Sequence, residues 1–248
     1  MSELHIVSAF DRELDAIKAK IMKMGGMVEA SIVGAATSLD QRDVELADQV
    51  RANDVAIDAL EEHINQEAAR VIALRSPRAI DLRLLLSVIK VCGNLERIAD
   101  YSKNIAKRTR VLLELRTIEG SPTALRRMAR EVEMMLGDAL DAYIRQDEEL
   151  ARAVIARDES VDQLYNALFR EFLTFMMEDP RNITPCMHLH FIAKNIERMG
   201  DHVTSIAEQV VFYTTGEKPD EERTKADKTS TDAALSSTGP TPSPGAEQ

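Results

Sequence analysis

Apolar residues recur along this chain in alternating steps of three and four, the spacing that places them on one face of an α-helix. The clearest series comprises Ile192, Ile196, Met199, Val203, Ile206 and Val210. Leu46 to Leu74 and Val88 to Ile105 show the same spacing, and Ser-Pro or Thr-Pro pairs mark helix starts. The pattern predicts an all-α fold of six long helices, near Ile6–Leu39, Arg42–Leu74, Pro77–Glu119, Pro122–Gln146, Asp147–Met177 and Pro185–Tyr213.

The sequence is also duplicated. The heptapeptide NLERIAD at 94–100 returns as NIERMGD at 195–201, a shift of 101, and upstream a shift of 104 aligns Leu60 with Leu164. Repeats of about 100 residues indicate duplicated domains rather than solenoid units. We therefore predict two tandem, pseudo-symmetric three-helix bundles, residues 6–120 and 121–216. Residues 217–248 are rich in Ser, Thr, Pro and charged residues, and are predicted to be a disordered tail.

Each repeat carries two acidic pairs at i,i+4 spacing, which puts the two carboxylates of a pair on one helix face. The pairs are Glu96 with Asp100, Asp54 with Asp58, Glu197 with Asp201, and Asp158 with Asp162. Like charges at this spacing repel, so their duplication indicates that they bind a cation. Oxygen ligands favour ions such as magnesium, manganese or iron.

The acids of the first heptapeptide lie on a different face of their helix from the apolar residues. At about 100° per residue, Glu96 and Asp100 lie almost opposite the apolar seam that contains Leu95 and Ile98. The acids are therefore expected on an outer face and not in the core. A solvated helix surface remains the alternative interpretation of any single acidic pair.

Composition narrows the classes of function. The net charge of -11 argues against nucleic acid as a direct partner. No apolar run approaches the length of a membrane span, the first fifteen residues do not resemble a signal peptide, and the two isolated cysteines suggest a reducing compartment. We expect a cytoplasmic protein without direct membrane insertion.

Two enzyme classes can be tested on the sequence. Di-iron oxidases of the ferritin type need Glu-x-x-His inside the bundle core. No glutamate stands three positions before His63, His188, His190 or His202. The chain also lacks a phosphate-cradling glycine loop and a nucleophile–base pattern, so we predict that it is not an enzyme. A metal-dependent phosphohydrolase or a metal-storage bundle that uses the same acids stays open as the alternative.

In these motifs the chain resembles the PhoU family, bacterial regulators of phosphate uptake and phosphate signalling. The resemblance covers about residues 10–217. It rests on the two heptapeptides, on Asp81-Leu82-Arg83 before the first, and on Phe212-Tyr213-Thr214-Thr215-Gly216-Glu217 after the second. It implies two three-helix bundles with metal clusters. The implied ligands are Glu96, Asp100, Asp54 and Asp58 in the first half, and Glu197, Asp201, Asp158 and Asp162 in the second.

The resemblance also implies what the protein does. It implies a negative regulator of the phosphate-starvation response and a modulator of phosphate uptake, which acts by protein contact. The implied partners are the ATPase subunit of a Pst-type phosphate ABC transporter and the phosphate-sensing histidine kinase, with the regulator itself a homodimer. The implied cofactors are carboxylate-bound metal ions, with iron, manganese, magnesium and zinc all open.

Overall fold

In a computed structural model of the protein, which describes residues 2–75, 77 and 79–217, the chain forms six α-helices and, over those residues, no β-strand. The helices are α1 (Ser2–Gln41), α2 (Val44–Arg75), α3 (Ala79–Leu113), α4 (Ser121–Arg145), α5 (Glu148–Glu178) and α6 (Ile183–Thr215). The all-α prediction is confirmed. Residues 218–248, which hold nearly all of the predicted tail, lie outside the described residues.

Some predicted helix ends differ from the observed ones. The second helix begins at Val44 and not at Arg42, and the third ends at Leu113 and not at Glu119. The sixth begins at Ile183, two residues before the predicted start. Proline is tolerated in the first turn of a helix, so it marks a start only to within a turn.

The connections α1–α2 and α4–α5 are built in the same way, which shows the duplication in local geometry. Arg42 and Gln146, equivalent under the shift of 104, both adopt a left-handed conformation, with φ of 58° and 56°. Such a residue ends a helix by turning the chain away from its axis. Asp43 and Asp147 follow, and each accepts a hydrogen bond from the backbone N–H three residues later, at 2.9 and 3.0 Å. Both aspartates therefore act as N-caps.

The two halves share one core. The helices α1, α2 and α3 pack on one another, as do α4, α5 and α6, and α1 also packs along α4 while α3 packs along α6. The four inner helices, α1, α3, α4 and α6, thus have three helix neighbours each. The outer helices, α2 and α5, have only two among the described α-helices. Buried apolar side chains from both halves form one continuous cluster.

Polar contacts also cross the join between the halves. On α3 and α6, His202 Nδ1 lies 2.8 Å from Asn94 Oδ1, at hydrogen-bond distance, and the His202 and Tyr101 rings are 5.7 Å apart. On α3 and α4, the Ser87 and Tyr143 hydroxyls are 3.4 Å apart in the core. The two repeats are therefore joined by specific side-chain contacts as well as by apolar packing.

Tyr143 gives a test of the shared core. We expect Tyr143→Ala to lower the free energy of unfolding by about 3–5 kcal/mol, because it leaves a large cavity between the halves. Tyr143→Phe should cost about 1 kcal/mol, since it removes only the hydroxyl contact. Urea denaturation followed by circular dichroism measures both values. Hydrogen exchange should show both halves protected to the same extent, and separate unfolding of the halves would contradict a single core.

Candidate metal centres

The acids predicted for the first half meet in the groove between α2 and α3. Asp54 of α2 is only 2% exposed. The ammonium of Lys103, on α3, donates a hydrogen bond to Asp54 Oδ2 and lies 3.7 Å from Asp100 Oδ1. The groove thus gathers carboxylates from both helices around one lysine.

Two pKa shifts reflect this crowding. Desolvation, followed by repulsion from Asp54 and Asp100, raises the pKa of the Asp58 carboxyl, while the Lys103 ammonium opposes the rise. The hydrogen bond to Asp54 raises the pKa of Lys103, so this lysine is a cation at neutral pH. The first-half site therefore holds several acids that favour a nearby positive charge.

Glu96 is the most perturbed of these acids. Burial raises its pKa to about 7, with repulsion from Asp100 as the next cause and a further contribution from Glu61. Arg97 lies 3.6 Å from Glu96 and 3.7 Å from Asp100 and lowers the pKa in part. At neutral pH the Glu96 carboxyl is therefore about half protonated.

One buried carboxylate oxygen in this groove accepts no hydrogen bond from the described residues. Asp54 Oδ1 is buried and has no hydrogen-bond partner among the described residues, although Oδ2 is bound by Lys103. Buried carboxylate oxygens are normally hydrogen-bonded or bound to a metal. The carboxylate donors and this oxygen fit a hard or borderline cation in chemical type.

In the second half, Asp158 of α5 and Glu197 of α6 lie along the groove between these two helices. Glu197 is 5% exposed and Asp162 is 7% exposed. Glu197 Oε1 accepts a hydrogen bond of 2.9 Å from the Lys194 ammonium. This groove, like the first, therefore combines buried carboxylates with a lysine.

A glycine allows α5 to approach α6 closely at this point. A Cβ atom built on Gly200 would lie 3.2 Å from Asp158 Oδ1, tighter than most contacts of real Cβ atoms. The corresponding residue of the first half is Ala99. Asp158 therefore lies directly against the backbone of the second heptapeptide, one residue before Asp201.

The prediction that the acids of the two heptapeptides lie on an outer face is wrong for Glu197, which is buried, while Glu96, Asp100 and Asp201 are half-buried. Asp54, Asp162 and Glu197 are buried, while the other five are half-buried or exposed. The face opposite the main apolar seam is not free, because a neighbouring helix of the same bundle covers it. The 100° rotation per residue places the acidic stripe on each helix but contains no information about a second neighbouring helix.

Three charged residues at these sites were missed from the sequence. Glu61 stands three residues after Asp58 on α2, and the i, i+4, i+7 series from Asp54 could have revealed it. Lys103 and Lys194 gave no comparable signal, because lysine on a helix surface is common. The assignment of the eight acids as metal ligands remains a prediction. In the part of the chain that the structure describes, no three His, Cys, Asp or Glu side chains form a ready metal-binding group.

A duplicated three-helix unit with paired acids on its second and third helices defines a class of two-bundle, carboxylate-rich helical proteins. The PhoU domain family matches this chain twice, over residues 21–109 and 125–210. The chain therefore belongs to the PhoU family, as the resemblance indicated.

Individual proteins and solved structures similar to this chain also carry PhoU in their names. A protein of Rhizobium meliloti named phosphate-specific transport system accessory protein PhoU homolog is 43% identical over 93% of this chain and 98% of its own length. A Caulobacter vibrioides protein of the same name is 43% identical over 90% of this chain and 97% of its own. The crystal structure of PhoU from Pseudomonas aeruginosa is 37% identical, with a TM-score of 0.81 over 84% of this chain and 100% of that one. The phosphate transport system regulatory protein PhoU of Streptococcus pneumoniae is 30% identical, with a TM-score of 0.78 over 85% and 99%.

The raised pKa of Glu96 makes stability depend on pH in a defined direction. The folded protein holds this proton up to about pH 7, whereas the unfolded chain releases it near 4.5. The free energy of unfolding should therefore fall as pH rises through this window. In chelator-containing buffer, Glu96→Gln should stabilise the protein by about 1–2 kcal/mol at pH 8 and change it little at pH 4.5. Thermal melts across this range measure the effect.

The matched control is Glu62→Gln, on the exposed side of α2, which should leave the pH dependence of melting as in the wild type. If Glu96→Gln shows no pH-dependent gain, the carboxylate is not held in the crowded environment described above.

Proposed function

We propose that this protein is a negative regulator of the phosphate-starvation response and a modulator of phosphate uptake. The proposal is carried by the Rhizobium meliloti relative, whose name denotes an accessory protein of the phosphate-specific transport system and whose similarity spans 93% of this chain. The names of the relatives, accessory or regulatory, also fit a protein that is not an enzyme. In this proposal the protein acts by contact with other proteins.

The partners in this proposal are the ATPase subunit of a Pst-type phosphate ABC transporter and the phosphate-sensing histidine kinase. Both would be reached from the cytoplasm, with the regulator acting as a homodimer. An acidic chain with few aromatic residues suits an adaptor that docks on membrane-associated proteins.

Among the described helices, none combines the length and the apolar character needed to cross a membrane.

We further propose that the two grooves bind divalent or iron-type metal ions. Asp54, Asp58, Glu96 and Asp100 would be the ligands in the first groove. The ligands in the second groove would be Asp158, Asp162, Glu197 and Asp201. A bound metal would supply positive charge that neutralises the carboxylates. Each set of four carboxylates comes from one outer and one inner helix. When their negative charge is neutralised, the carboxylates can therefore link the outer helix to the inner helix. Two observations support this metal binding: the ligands would all be carboxylate oxygens, which hard cations prefer, and Asp54 Oδ1 is buried without a hydrogen-bond partner among the described residues.

The metal sites can be tested one half at a time. The double variant Glu197→Gln/Asp201→Asn should remove the metal of the second half while that of the first remains, because amides are poorer ligands than carboxylates. Amides are preferred to alanine here, since Glu197 is buried and a smaller side chain would leave a cavity. Elemental analysis of protein loaded with metal and then desalted gives the stoichiometry.

The reciprocal variant Glu96→Gln/Asp100→Asn is the matched control and should remove only the first-half metal. If the metal content is unchanged in both variants, the ligand assignment is wrong.

The regulatory role has its own test, independent of the metals. Deletion of the protein should derepress phosphate-scavenging genes in phosphate-rich medium, because the kinase loses its inhibitory contact. A reporter fused to a phosphate-starvation promoter measures this, with the wild-type gene restored as the control. A reporter that stays silent in the deletion strain would contradict the role, and turnover of phosphoesters by the purified protein would favour the phosphohydrolase alternative.

A further inference from the structure

Each carboxylate groove contains a lysine, yet the two lysines are not equivalent in the repeat. Under the shift of 101, Lys103 corresponds to Thr204 in the second half, where the hydroxyl donates to the Gly200 carbonyl at 3.0 Å. Lys194 corresponds in turn to Gly93, which has no side chain. The duplicated unit thus supplies an ammonium to the same groove from two different positions.

In both grooves the lysine joins the inner helix to the outer one. Lys103 extends from α3 to the buried Asp54 of α2. Lys194 pairs with the buried Glu197 on its own helix, and its ammonium lies 4.9 Å from the centre of the Tyr165 ring on α5. That distance is within the range of a cation–π interaction. The two lysines make different contacts with the same result, a positive charge between buried acids and the outer helix.

The position of Lys103 is the more informative. It contacts one oxygen of Asp54 and approaches Asp100, so two of the four proposed first-half ligands already share a cation. The other Asp54 oxygen is buried without a hydrogen-bond partner among the described residues. A metal ion that drew on both Asp54 and Asp100 would meet the ammonium in its path, because like charges cannot share these oxygens at close range.

We propose that Lys103 and Lys194 are resident counter-ions that compete with metal ions for the two carboxylate grooves. A metal enters each groove by displacing the ammonium from its carboxylate, so the lysines set the metal affinity of the two halves. This inference rests on the metal binding proposed above. In each groove, a lysine ammonium of the protein itself occupies the place beside the carboxylates until a metal ion displaces it.

An ordinary structural ion pair makes a different prediction. If Lys103 only stabilises the fold, Lys103→Met should lower the melting temperature and leave the metal affinity of the folded protein unchanged. If it is a competing counter-ion, the same variant should bind metal more tightly, and added metal should restore the lost stability, because Asp54 would otherwise be a buried unpaired charge.

The test uses the full chain, freed of metal by chelation and titrated with manganese(II) by calorimetry. The Glu197→Gln/Asp201→Asn background isolates the first half. In that background we expect Lys103→Met to tighten manganese binding by about 10-fold or more, the scale on which groups beside metal ligands alter metal affinity. Lys103→Arg keeps the charge and should keep the starting affinity. Lys107→Met, one turn further along the exposed side of α3, is the matched control and should change nothing.

The second half is tested in the same way, with Lys194→Met in the Glu96→Gln/Asp100→Asn background and the same expected tightening. Unchanged manganese affinity in both lysine variants, with binding still present, would overturn the counter-ion role and leave the proposed metal binding intact. If neither the wild type nor any variant binds manganese, iron(II) or zinc(II), the proposed metal binding itself is overturned.

Discussion

The packing of α3 along α6, and of α1 along α4, joins the two repeats through a single apolar core. Because the four inner helices cover one another, α2 and α5 remain outside with two helix neighbours each. The groove between an outer and an inner helix is where acids from two helices can be buried side by side and still lie near the surface. The position of both candidate sites follows from this division into inner and outer helices.

Burial of acids in these grooves has an electrostatic cost that something must offset. The chain as a whole carries a net charge of -11, so the surroundings add little positive potential. Burial and neighbouring carboxylates raise the pKa values of Asp58 and Glu96, which is the expected response of acids that lack sufficient counter-charge. In the first groove the Lys103 ammonium supplies part of this charge to Asp54, and the raised pKa of Glu96 favours a proton there. A metal ion is the third source of positive charge, proposed above.

Much of this organisation could be predicted from the sequence, for physical reasons. Helical periodicity and a long internal repeat can both be read directly from the order of residues along the chain. These two patterns identified the six helices, their duplication and the acids on each helix face. Burial of Asp54 and Glu197 was missed, because it depends on which second helix covers a face, and single-helix geometry contains no such information. Lys103 was missed for a related reason, because its contact with Asp54 joins two different helices. Lys194 was missed because an i,i+3 pair of lysine and glutamate is common on helix surfaces and does not by itself indicate a site.

The contact between Asn94 and His202 has a consequence for how the molecule can change shape. The first residue of one heptapeptide touches the residue that follows the other, across the line where α3 and α6 meet. If α3 slid along α6 by one helical turn, this contact would be lost and the shared core would come out of register. The inner helices therefore serve as a fixed frame. The outer helices α2 and α5 lie beside this frame, each packed on only two of the described α-helices.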